Sequence, residues 1–217
     1  MKAPVFEATA ASEVSEATEV SAAVRGRASE ARAAGVEARE VLNLGCGRRH
    51  VEGAVNVDVT PETCPEVVHD LNERPWPLPE SHFRVVWAHD VVEHLADVVA
   101  TFEEIHRVSR DGATVHVTVP HFSSANAYTD PTHRHFFGYF TLDCLTEGAE
   151  LSFYTRARFR LRRRSIIFYP TLFNKLVWRL ANRYPETYER RWAWVFPAFF
   201  LSFELEVVKG RDGAVER

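Results

Sequence analysis

Cysteine is sparse in this sequence and never clustered. Cys46, Cys64 and Cys144 are the three present in 217 residues. They form no C-x-x-C pair, which excludes a disulfide framework or a zinc knuckle and predicts a reduced, cytoplasmic setting. Glycine (10 residues) and proline (11) are too few for collagen-like or low-complexity architecture. No long hydrophobic run is present. The longest, Trp192–Phe203, has 12 residues and is interrupted by Pro197, well under the ~20 needed to cross a bilayer. The first 40 residues hold one aromatic, Phe6, among 12 Ala and 7 Glu, so they offer neither the apolar stretch of a secretory signal nor the material of a packed core. They predict an N-terminal arm over 1–39, with a helix at Ala22–Ala38, and no export.

What is present from residue 40 to 217 is the composition of one ordinary globular domain, in a chain that is 46% hydrophobic and 12% aromatic. The formal net charge of −4 conceals an asymmetry. Between Thr155 and Trp192, eleven Arg and Lys stand against two acids, Glu186 and Glu189. A basic segment of this kind needs an anionic partner or a solvated surface.

From Val41 the texture becomes short β-rich runs that end in polar residues or glycine. Val41–Leu44 runs into Gly45-Cys46-Gly47, Ala54–Val57 ends at Asp58, Val67–His69 precedes Asp70, and Phe83–Ala88 precedes His89-Asp90. Val91, Leu95, Val98, Phe102 and Ile105 then recur at helical spacing, which predicts a helix from Val91 that stops at Asp111-Gly112. Ala113–Val119 alternates valines with Thr114, His116 and Thr118, a strand closed by Pro120. Beyond it come a short helix near Thr141–Leu145, a strand over Arg158–Phe168, an aromatic and basic insertion at 169–201, and a last strand, Phe203–Lys209. Strands alternating with helices predict an α/β, Rossmann-like, doubly wound parallel sheet with helices on both faces and ligands at the carboxyl ends of the strands.

Those strand ends carry the chemistry. Gly45 and Gly47 give a tight turn in which backbone amides approach a ligand. Asp58, ending the second strand, is placed to accept from both hydroxyls of a ribose, and Asp70 from an exocyclic amine such as that of adenine. A dinucleotide site is disfavoured, because the third glycine of a G-x-G-x-x-G run is replaced by His50 and Asp58 follows Gly45 by 13 residues.

The ordered run Val41-Leu42-Asn43-Leu44-Gly45-Cys46-Gly47, Val57-Asp58, Asp70-Leu71-Asn72, His89-Asp90-Val91-Val92-Glu93-His94-Leu95 and Glu104–Val108 with Arg110-Asp111-Gly112 resembles the motifs of class I S-adenosylmethionine-dependent methyltransferases, over residues 40 to 145. The resemblance implies an enzyme with a seven-stranded sheet, mostly parallel with its last strand antiparallel, and S-adenosylmethionine as cofactor. It implies that Leu44, Gly45 and Gly47 line the methionine end of the pocket with Cys46 as a small wall residue. Asp58 and the following Val59 would lie at the ribose, Asp70 and Leu71 at adenine, and His89 and Asp90 would close the pocket, with His94 facing the cofactor. The link from Gly47 to Asp58 is unusually short for the first helix of this fold. No Asn/Asp-Pro-Pro-Tyr/Phe motif, Pro-Cys nucleophile or acidic magnesium set is evident, which leaves oxygen or amine nitrogen of a small molecule as the methyl acceptor.

The segment Pro120–Phe137 follows the fifth strand and packs His121, His133, His135, Asp130 and Tyr128 into one loop. Its Pro-His-x-Ser-Ser and Asp-Pro-Thr-His pieces resemble a bacterial subgroup of these methyltransferases. His121 or His133 is the expected general base, with Asp130 orienting an imidazole and Tyr128 beside them. Arg134 and His135 are expected at the acceptor. His121, Asp130, His133 and His135 are also of metal-ligand types, but the resemblance supplies a sufficient metal-free mechanism, so no metal is expected. Glu93, at a helix start, reads as structural.

The basic segment admits several readings. Arg156, Arg158, Arg160 and Arg162 alternate and would share one strand face. They suit nucleic-acid phosphates, an anionic acceptor such as a sugar nucleotide held by Lys175 and Arg179, peripheral membrane contact through the neighbouring tryptophans, or a solvated cap. The leading expectation is a methyltransferase of small-molecule biosynthesis acting on an anionic or glycan-related acceptor. The alternative is an RNA-binding or RNA-modifying protein.

Overall fold

The computed structural model describes residues 35, 36, 38–146 and 148–210. The N-terminal arm, and all but the last residues of the helix expected at Ala22–Ala38, lie outside them. Seven strands form one sheet: β1 (Val41–Leu44), β2 (Val55–Asp58), β3 (Val67–Val68), β4 (Phe83–His89), β5 (Ser109–Pro120), β6 (Arg158–Ile167) and β7 (Phe200–Val208). Their order is β3-β2-β1-β4-β5-β7-β6. The first five strands are mutually parallel. β7 runs antiparallel to both β5 and β6, so the expected fold class holds. Strand order reverses between β1 and β4, the switch point at which such sheets bind ligands.

The core is built on Leu42, Val55, Val86, Val115, Val117, Phe203 and Leu205, all buried. Helix α1 (Val98–Val108) contributes Phe102, Ile105 and Val108, each wholly buried. Phe102 meets Phe159 of β6 edge to face at 5.8 Å. Each such side chain stabilises the fold by about 1.5–3 kcal/mol.

Two expectations about α1 are corrected. It does not begin at Val91: residues 92–94 form a single 3-10 turn, Leu95 is extended, and the helix starts after Asp97, whose carboxylate accepts from the N–H of Ala100 at 2.9 Å. Val91 and Leu95 kept helical spacing because both are buried, not because both are helical. Nor does α1 reach Gly112. Phe83 pairs with Ser109 and Val85 with Thr114, so Arg110–Ala113 bulges out of β5, with Gly112 at φ 73°.

Among the described residues no α-helix joins β1 to β2. Side-chain amides do that work. Asn43 donates to Asn56 Oδ1 (2.8 Å) and to the carbonyl of Arg49 (2.9 Å). Asn56 in turn accepts from the N–H of Val51 (2.9 Å) and donates to Glu66 (2.9 Å), and Arg39 pairs with Glu66 at 2.6 Å. Burial pushes the Glu66 carboxyl up, but the hydrogen bonds from Arg39 and Asn56 outweigh it and hold the pKa at about 2.

After β5 come a short turn, α2 (Asn126–Thr129), and a 3-10 turn at Thr141–Leu145. The insertion between β6 and β7 folds as α3 (Leu172–Arg183) and α4 (Pro185–Arg191). Ile167 and Pro120 both pair with Phe200, so β6 ends at the same edge as β5. The insertion therefore leaves the sheet at its ligand-binding edge.

Candidate active site

β1 delivers the chain into Gly45 (φ 59°) and Gly47 (φ 48°). A Cβ on Gly45 would stand 2.3 Å from a methyl of Val91, whereas one on Gly47 would meet nothing within 4 Å. The first glycine therefore lets the turn pack against the chain after β4, and the second faces open space. Cys46 is buried between them; burial, with the Asp58 carboxylate adding to it, pushes its thiol up to about 11, which suits a wall residue and not a nucleophile.

Asp58 closes the turn from the other side. Its Oδ2 accepts from the N–H of Gly47 (2.8 Å) and its Oδ1 from that of Thr60 (2.8 Å). A carboxylate offers about four acceptor sites, so room is left for two ribose hydroxyls. Asp70 accepts from the backbone and side chain of Asn72 through Oδ1 (both 2.9 Å); Leu71 beside it is buried. Val59, by contrast, is 61% exposed. After β4, His89 bonds Thr118 through Nδ1 at 2.8 Å. Asp90, at φ 52°, pairs with Arg49 at 2.8 Å, which ties the end of β4 to the residues that follow the glycine turn.

The loop after β5 separates the residues expected to act together. His121 does not fit the role of base. Its side chain is wholly buried, Nδ1 accepts from the N–H of Ser123 (3.1 Å), and Nε2 faces Glu189 of α4 at 3.2 Å. Both nitrogens are engaged within the protein, and Ser123 Oγ further accepts from the N–H of Ala198 (3.1 Å). His121 thus ties the insertion to the loop. Tyr128 is exposed, donates to the carbonyl of Phe122 (3.0 Å) and stacks on Phe136.

Asp130 orients an imidazole, but at one remove and not that of His121. It accepts from the hydroxyl (2.7 Å) and N–H (2.8 Å) of Thr132, and Thr132 Oγ1 lies 2.7 Å from Nδ1 of His94. His133 places Nδ1 at the carbonyl of Ala127 (3.0 Å) and Nε2 3.9 Å from Glu93. Arg134 and His135 donate their backbone N–H groups to the carbonyl of Glu93 (2.8 and 3.3 Å). Lys175 and Arg179 are exposed on α3, away from this loop in sequence.

Glu93 and Glu189 were not foreseen as site residues. Glu93 is 1% exposed, and burial pushes its carboxyl up to about 7. Glu189 is one of only two acids in the basic segment, which is the signal that could have drawn attention to it.

The arginines of β6 are not a free phosphate-binding row. Arg160 and Arg162 both engage Glu206 at 2.6 Å, and Arg164 engages Asp143 and lies 4.1 Å from the ring of Tyr139. An almost wholly apolar cavity of about 390 Å³ lies instead between α3 and α4, lined by Val177, Leu180, Tyr184, Tyr188 and Trp192. Its apolar lining contrasts with the polar residues at the strand ends.

Residues 42–117 match the family described as methyltransferase domain. A search of curated proteins gives no match. Among solved structures, the chain is similar to an S-adenosylmethionine-dependent methyltransferase from Archaeoglobus fulgidus, 20% identical over 84% of this chain and 92% of the other, with a TM-score of 0.53. It is also similar to one from Mesorhizobium loti, 16% identical over 83% and 96%, TM-score 0.50. The cyclase SpnF shares the fold as well, 15% identical over 85% and 81%, TM-score 0.50, so the fold by itself does not name a reaction. The matched segment spans the glycine turn, Asp58, Asp70 and Asp90, and the open space at Gly47 with the spare acceptor capacity of Asp58 fits the cofactor's methionine and ribose. Over residues 42–117 the chain matches a methyltransferase domain, and the cofactor of this enzyme is S-adenosylmethionine.

Proposed function

We infer that the enzyme methylates an oxygen or amine nitrogen of a small anionic acceptor. The observation that carries this reading is the anchoring of the α3–α4 insertion to the post-β5 loop through His121 and Glu189, at the edge where β5 and β6 both end. Lys175, Arg179 and Arg183 recur every four residues on α3, so they form one row along that helix. Such a row favours phosphate or carboxylate groups, and a glycan phosphate or sugar nucleotide is a suitable acceptor class. The β6 arginines, engaged by Glu206 and Asp143, lend no support to the RNA reading.

S-adenosylmethionine supplies an electrophilic methyl group. The chain's contribution is alignment and water exclusion. Asp58 and Asp70 fix the nucleoside, Gly45 and Gly47 admit the tail, and Asp90 closes the pocket with Arg49. Of the two candidate imidazoles, His133 is the one we assign to the acceptor, because the ring nitrogens of His121 are already engaged.

Incubation with methyl-labelled S-adenosylmethionine and a fractionated metabolite extract, followed by mass spectrometry, tests this reading. A labelled product retained on an anion exchanger supports it. Label only in neutral or cationic products, or in RNA, refutes it.

A second reading, of contact with an anionic membrane surface, is favoured by Trp178, Trp192 and Trp194, which are 45%, 49% and 68% exposed on the same cationic insertion. Cosedimentation with anionic but not neutral vesicles supports it, and no cosedimentation refutes it.

A further inference from the structure

A buried carboxylate without a partner requires an explanation, since an isolated buried charge is costly. Both oxygens of Glu93 are buried without any hydrogen bond. Facing them are two imidazoles, His94 and His133, whose rings meet at 4.6 Å and 66°. One nitrogen of each ring and one oxygen of Glu93 lie within 4.8 Å of one another. The pocket is negative beyond Glu93 itself: the carboxylates of Asp90 and Asp130 act on Glu93, and Arg49 is the opposing charge.

The hydrogen bonds settle which nitrogens are available. The Ala127 carbonyl can only accept, so Nδ1 of His133 carries the hydrogen, and in the neutral ring the lone pair is on Nε2, toward Glu93. Asp130 likewise only accepts, so the hydroxyl hydrogen of Thr132 goes to it, and Thr132 Oγ1 must accept from Nδ1 of His94. The Nε2 of His94 is then also a lone-pair donor. Both rings are fixed by outer partners in the way that metal-binding histidines are. Donors at ~2.0–2.2 Å from one ion can stand up to about 4.2 Å apart, so the 3.9 Å between His133 and Glu93 already accommodates one.

We propose that Glu93, His94 and His133 bind a divalent first-row transition-metal ion beside the cofactor pocket, as a two-histidine, one-carboxylate set with open positions. The site adjoins the glycine turn, because Val91, two residues before Glu93, packs on Gly45. This deepens the reading of His133 given above, which then acts on the acceptor through the ion it holds, and rests on that reading for one consequence: an acceptor hydroxyl oxygen bound at an open position would lose its proton more readily. It departs from the metal-free mechanism expected from the sequence, and of the four residues of metal-ligand type noted there, His121, Asp130, His133 and His135, it uses His133 alone.

The test is equilibrium dialysis of the full chain, stripped by chelator, against ZnCl2 alone and MnCl2 alone, read by elemental analysis. Stoichiometric uptake of either ion is expected. Glu93→Gln and His133→Ala should abolish it, Thr132→Val should weaken it roughly 10–100-fold through the freed His94 ring, and His116→Ala should leave it unchanged. Circular dichroism checks that each variant is folded; if Glu93→Gln is not, His133→Ala and Thr132→Val decide. Failure of the folded wild type to take up either ion would overturn the proposal, as would undiminished uptake by His133→Ala. Asp58→Ala should bind the ion normally while binding the cofactor about 10–100-fold more weakly. A parallel weakening of ion uptake would place the ion in the cofactor pocket and sink the proposal, so its failure is separable from that of the methyl-transfer reading.

Discussion

Nε2 of His121 and Oε1 of Glu189 lie 3.2 Å apart across 68 residues of chain. The same carboxylate oxygen accepts the backbone N–H of Tyr139. One acid of the insertion thus satisfies two donors of the segment after β5, and it does so in the middle of the most basic part of the sequence. A contact of this kind positions the insertion and is structural before it is catalytic.

Glu189→Ala is therefore expected to destabilise the fold by about 1–3 kcal/mol, the usual cost of leaving a buried donor unpaired. For a chain of this length that is a fall in Tm of roughly 2–4 °C per kcal/mol. Thermal unfolding of Glu189→Ala, His121→Ala and the double variant should show the double loss to be smaller than the sum of the single ones. Additive losses would mean the two side chains do not meet.

Asp58→Ala should weaken S-adenosylmethionine binding by about 10–100-fold, as expected for loss of charge-assisted hydrogen bonds worth about 1.5–3 kcal/mol. Isothermal titration calorimetry measures this directly, and an unchanged affinity would remove Asp58 from the cofactor site.

The two glycines of the turn should respond differently to a single methyl. Gly45→Ala combines a positive φ with a collision against Val91 and is expected to cost about 2 kcal/mol or more and to abolish cofactor binding. Gly47→Ala meets no neighbour, so only the left-handed backbone costs, about 1–2 kcal/mol. Its fold should survive with weakened binding. Equal effects on Tm would contradict the geometry.

Glu66 sets an acid limit on stability. Its folded pKa of about 2 lies below the ordinary carboxyl value of 4.5, so its contribution is fully present above about 4.5 and is lost as pH falls toward 2. Because the side chain is 35% exposed, screening reduces the contribution to about 1–2 kcal/mol. The Tm gap between wild type and Glu66→Gln should be widest at neutral pH and close progressively below pH 4.5.

The strands were legible because alternation and terminal glycines are local signals: Val41–Leu44 is observed at its expected bounds, and the alternating valines of Ala113–Val119 fall inside β5. The start of α1 was misread because Val91 and Leu95 satisfy a helical spacing while being buried by a 3-10 turn; the capping Asp97 was the better signal. The division of labour among the histidines was not legible. His121 and His133 lie in the same segment after β5, and the return of α4 onto one, and of Glu93 onto the other, distinguishes them. Those are contacts over 68 residues and between separate loops, which no periodicity encodes.

The bond from the Gly47 N–H to Asp58 has one more consequence. It joins the glycine turn to the end of β2, the two parts proposed to hold the methionine and ribose of the cofactor, and the Asn43–Asn56 amide pair links the strands that carry them. If this segment is the cofactor site, as proposed, it is assembled before any ligand arrives and loses little conformational entropy on association. Amides of the 45–58 segment should accordingly exchange slowly with solvent even in the ligand-free protein.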